Sequence, residues 1–70
     1  MVRVLAKAWD GKDMICILLE GTQVVEVGHG GECASIEARL GRPRAASGIA
    51  TGGLSIDVYI YGEEEKGEKT

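Results

Sequence analysis

Six consecutive apolar residues, Met14-Ile15-Cys16-Ile17-Leu18-Leu19, sit between Asp10-Gly11-Lys12-Asp13 and Glu20-Gly21. They constrain the fold more than any other feature. The run has no polar face, it is far too short to cross a bilayer, and it is rich in β-formers, so it reads as a strand buried on both sides. A chain of 70 residues has little material to cover both faces of one sheet. The second cover is therefore expected from another copy or from a partner protein.

The segments on either side extend this strand into a sheet. Val2 to Trp9 alternates with a period of two, Val2, Val4, Ala6 and Ala8 on one face and Arg3, Leu5, Lys7 and Trp9 on the other. Gly11 supplies the positive φ of a short hairpin loop leading into the apolar run. A second turn at Glu20-Gly21 leads to Thr22-Gln23-Val24-Val25-Glu26-Val27, completing a three-stranded antiparallel meander with the most apolar strand in the middle. Gly28-His29-Gly30-Gly31 ends the third strand.

Residues 33–40 fit two patterns. As a strand, Ala34, Ile36, Ala38 and Leu40 share a face. As a helix, Cys33, Ile36 and Leu40 form an i, i+3, i+7 stripe, with Glu32 at the positive end, Arg39 at the negative end and Gly41 as a cap. Propensity and capping favour the helix. From Gly41 to Gly53 no period survives, and the four glycines, Pro43 and small residues read as a long Gly-rich loop. Leu54 to Tyr61 is a final strand, with Leu54, Ile56, Val58 and Ile60 assigned inward and Ser55, Asp57, Tyr59 and Tyr61 outward. The expected class is thus α+β, mainly antiparallel β, with one domain over residues 1–62 and a charged flexible tail over 63–70.

Composition narrows the functional classes. A formal charge of −3 gives no general attraction to nucleic acid or to an anionic membrane, so binding of that kind needs a local patch. Arg39, Arg42 and Arg44 provide one, beside glycines that let backbone N–H groups approach a phosphate. Their spacing matches no phosphate-loop or dinucleotide fingerprint. Two cysteines are too few for a secreted disulfide scaffold, and neither end reads as a targeting signal, so a cytoplasmic protein with free thiols is expected. Cys16 reads as a core residue, and Cys33, in a helix's first turn, as the more reactive thiol.

His29 among its glycines has the chemistry of a general base or metal ligand, with Cys33 four residues on. It lacks the further ligands a metal site requires, and a turn histidine is the simpler assignment. No catalytic triad or carboxylate pair stands out, and no metal or cofactor is called for. Tyr59 and Tyr61, on the outward face of the last strand, suit a protein interface or stacked bases. The expected function is a small, self-associating, non-enzymatic interaction module, an assembly subunit or a binder of a larger protein. The alternative is a nucleic-acid or phosphate-ligand binder. The residues assigned to binding are Arg39, Arg42, Arg44, Ser47, Tyr59 and Tyr61.

Overall fold

The computed structural model describes residues 1–62, and the charged-tail expectation for 63–70 lies outside them. Five strands and one helix follow in the order β1 (Arg3–Trp9), β2 (Met14–Glu20), β3 (Gln23–His29), α1 (Gly31–Leu40), β4 (Ala45–Thr51) and β5 (Leu54–Tyr61). They form one antiparallel sheet in the order β3-β2-β1-β5-β4, with β1 at its centre. The mainly antiparallel α+β class expected from the residue pattern is what the chain adopts.

The turns follow from local chemistry. The Asp10 carboxylate accepts the backbone N–H groups of Lys12 and Asp13, each at 2.9 Å, while Gly11 takes φ 92° between them. Those two hydrogen bonds, the Asp13 N–H first, hold the Asp10 carboxyl below its ordinary value. Residues 33–40 are helical, as propensity favoured. Cys33 and Ile36 are buried, and Leu40 is half-buried beside them. Gly41 closes the helix at φ 81°, its N–H donating to the Glu37 carbonyl.

The segment from Gly41 to Gly53 corrects the expectation of a long loop. Residues 45–51 form β4, which pairs along its whole length with β5. Gly52 and Gly53 both have positive φ, 58° and 82°, as a two-residue hairpin turn requires. Small side chains conceal the strand because they carry no alternation. The ladder to β5 is what orders it.

The core lies between α1 and one face of the sheet: Leu5, Cys16, Leu18 and Tyr61 from the strands meet Cys33 and Ile36 from the helix. Here a second expectation is overturned. Leu5 on β1 pairs with Leu18 and with Tyr59, so the covered face carries Arg3, Leu5, Lys7, Ser55, Asp57, Tyr59 and Tyr61. The alternation in β1 and β5 is as expected, but in β5 the covered side is the one assigned outward. Tyr61, expected at the surface, is 2% exposed.

A third correction concerns the thiols. Cys16 and Cys33 are joined in a disulfide linking β2 to α1, and neither is free. The bridge removes both the expected reactivity of Cys33 and the free-thiol argument for a reducing compartment. No helix among the described residues is long and apolar enough to cross a membrane.

Candidate interaction surface

Among the described residues, no element lies on the side of the sheet away from α1. Its three central strands present Val4, Ala6 and Ala8 from β1, Leu19, Ile17 and Ile15 from β2, and Ile60, Val58 and Ile56 from β5. All nine positions are apolar. An antiparallel sheet with one face in water normally alternates to polar residues on that face, and this one does not. Ile15, Val27 and Ile49 are 52%, 65% and 60% exposed. Because Ala6 and Ala8 are small, the surface dips along β1 into a shallow groove of about 190 Å³ walled by Ile15, Ile17 and Ile56. Polar groups appear at the margins, Ser47 and Thr51 on β4 and His29 on β3.

The helix side carries paired charges, Lys7 with Glu37 and Arg39 with Glu26. Lys7 Nζ donates to Glu37 Oε1 at 2.8 Å and lies 5.1 Å from the centre of the Tyr59 ring. Burial lowers the Lys7 ammonium, but the Glu37 hydrogen bond and charge, with Tyr59 and Asp57, raise it further, and the net direction is up. Arg39 donates to Glu26 on β3. Burial pushes the Tyr61 phenol up, reinforced by Glu37, and its hydroxyl has no hydrogen-bond partner among the described residues.

The binding set proposed from sequence is therefore dispersed. Arg39 is held toward β3, at one edge of the sheet, and Ser47 stands on β4 at the other. Arg42 and Arg44 are exposed on the connector, where the Arg44 backbone N–H donates to the Ile60 carbonyl. Tyr59 is half-buried under Lys7, and Tyr61 is in the core. His29, exposed at the end of β3, has its Nε2 4.0 Å from Asp13 Oδ1, and its backbone N–H donates to Glu32. Among the described residues no three metal-type ligands come together.

Gly28, Cys16 and Cys33 are the structural residues that sequence reasoning undervalued. A Cβ on Gly28 would come within 2.8 Å of the Cys16 sulfur and 2.9 Å of Ile36 Cδ1, so only glycine lets the helix seat against β2 and β3. The paired turn glycines Gly52-Gly53 were a legible hairpin signal for β4.

No protein-family model, curated protein or solved structure matches the chain significantly. The fold and its surfaces thus carry the functional argument: a five-stranded antiparallel sheet, helix-covered on one side and apolar on the other.

Proposed function

We propose that this chain is a self-associating, non-enzymatic interaction module, an assembly subunit whose copies bury their open sheet faces against each other. The uncovered apolar face carries this reading. Five strands about 4.8 Å apart and seven residues long at about 3.3 Å each make a face of roughly 24 by 23 Å, on the order of 550 Å². Its aliphatic part, the three central strands, falls within the size range of the largest apolar patch of a typical monomer, which is itself often functional. Two such faces would bury on the order of 1,100 Å² together, above the roughly 1,000 Å² expected of a specific interface.

The distribution of polarity supports the same reading. Aliphatic residues fill the centre, while Ser47, Thr51 and His29 stand at the rim, the usual anatomy of a protein interface. Sheets packed face to face sit about 10 Å apart with interdigitated side chains, and the Ala6-Ala8 groove offers space for isoleucines of the opposite copy. The two-sided burial inferred for Met14 to Leu19 is completed in this way: Cys16 and Leu18 by α1, Ile15, Ile17 and Leu19 by the second copy. In the nucleic-acid alternative, Arg39 and both tyrosines would already be engaged within the chain.

Light scattering at micromolar concentration tests the proposal. The expected mass is that of a dimer or a larger assembly, and Ile17→Asp, which places a carboxylate in the centre of the apolar face, is expected to dissociate it. A compact monomer for the unmodified chain would overturn the reading.

A further inference from the structure

The two edges of the sheet are not equally protected. β3 ends the sheet on one side, and there the register shifts opposite Leu18 and Leu19, so that Val25 is an extra residue in the ladder. Glu26 and His29 lie on the same strand, and Glu26 is tied to Arg39. A bulge, a charge and a neighbouring helix are standard protections against pairing with another chain. At the opposite edge β4 has none of these. Its seven residues, Ala-Ala-Ser-Gly-Ile-Ala-Thr, include no ionisable side chain and no proline, and every one is exposed.

We propose that β4 is a second self-association surface, pairing antiparallel with β4 of another copy about a two-fold axis through Gly48. That register matches the strand with itself over its full length: Ala46 faces Ala50 of the other copy, Ser47 faces Ile49, Ala45 faces Thr51, and glycine meets glycine at the axis. No like charges face each other and no bulky pair collides. The same operation on β3 would set Glu26 against its own copy. Charge therefore selects β4 over β3 for a symmetric pair.

Room for the second copy follows from the position of α1. The helix packs on β2 and β3 and reaches β1 through Lys7–Glu37, so no described element overhangs β4. A two-fold perpendicular to the sheet also places both helices on one side and both open apolar faces on the other. The result is a continuous ten-stranded sheet in which the aliphatic areas of the two copies flank a central strip formed by Ser47, Ile49 and Thr51 of both β4 strands. Combined with the face-to-face packing already proposed, on which the four-copy stoichiometry rests, two such ribbons close on each other as a tetramer.

Sedimentation velocity at micromolar concentration separates the two surfaces. Ala46 and Ala50 lie on the helix side of β4, away from the open apolar face, so the variant A46E/A50E sets acid against acid at the edge and leaves the face intact. Its mass is expected to be half that of the unmodified chain. The variant A46K/A50E sets unlike charges opposite each other in the same register and is expected to keep the full mass. Its recovery also shows that charge at these positions does not prevent folding. If A46E/A50E keeps the full mass, or if both variants halve it, the β4 pairing is overturned. Ile17→Asp reads the face independently: should it leave the mass unchanged while A46E/A50E halves it, the face proposal fails and the edge proposal stands.

Discussion

The two faces of this sheet differ in a direction opposite to the usual one. The face under α1 includes Lys7, Glu26 and Asp57 and a phenol, while the uncovered face presents only aliphatic side chains from its three central strands. The helix covers the mixed face because it brings its own means of holding there. A disulfide from Cys33, the Ile36 side chain, and ion pairs from Glu37 and Arg39 fasten it. A helix of ten residues with so few apolar positions would be weakly held by packing alone. The aliphatic face needs no directional partners, only removal from water, and in the proposed assembly a second copy would serve that need.

Truncations of equal chemistry on the two faces offer the largest contrast. Leu5→Ala, at a fully buried site under the helix, is expected to lower unfolding stability by about 2–5 kcal/mol, much of what a small domain has. Ile15→Ala, at a half-exposed site on the open face, is expected to leave a dissociated chain nearly as stable. Its effect should appear as a higher dissociation constant. Denaturant melts run across a range of protein concentrations distinguish the two responses, and equal losses at low concentration would contradict the asymmetry.

Reduction of the disulfide is expected to follow in size. The bridge spans a separation of 17 residues, for which chain-entropy arguments give about 3 kcal/mol. In a domain this small each kcal/mol is roughly 4–8 °C in Tm, so a thermal melt with reductant should fall by about 12–24 °C. The open face is unchanged by reduction, and any loss of assembly should track unfolding. Gly28→Ala is expected to cost about 1–3 kcal/mol, because the new methyl group meets the Cys16 sulfur and Ile36 at distances no relaxed packing allows. Melting with and without reductant reads it: part of that loss should disappear once the bridge is opened and Cys16 can move.

The smallest effects come from the charged groups. Lys7 is raised in the folded chain, so the stability it contributes is complete below its ordinary value of 10.5 and is lost as pH rises through the folded value. Because Glu37 is about a third exposed, the pair is expected to contribute no more than about 1 kcal/mol. Lys7→Met should flatten the alkaline limb of the stability profile. At the acid end, Asp10 is lowered, so its contribution is present above its ordinary value of 3.8 and fades as pH falls through the folded value. Asp10→Ala should remove that part of the acid limb, measured by chemical denaturation at stepped pH.

Much of the architecture was legible in the residues. Periods of two located β1 and β5, the continuous apolar run located β2, the turn at Glu20-Gly21 marked the start of β3, the Cys33-Ile36-Leu40 stripe favoured α1, and Gly11 and Gly21 adopt the positive φ of hairpin turns. That Met14 to Leu19 presents apolar side chains to both faces of the sheet was also legible, since a continuous apolar run has no polar face. β4 was not, because Ala, Ser and Gly leave no periodic signal and its order comes from the ladder to β5.

What the sequence by itself determined is which side chains share a face; alternation follows from the pleat of the strand and holds wherever the strand is placed. Only the tertiary structure decided which face the helix takes. That choice depends on the crossing from β3 at one edge to β4 at the other, on Cys16 and Cys33 being brought to bonding distance, and on Gly28 clearing space for Ile36. These are contacts between distant residues, and no local pattern encodes them. Tyr59 and Tyr61 pass from proposed recognition residues to half-buried and core positions for that reason, and the aliphatic residues expected inside lie on the side of the sheet away from α1.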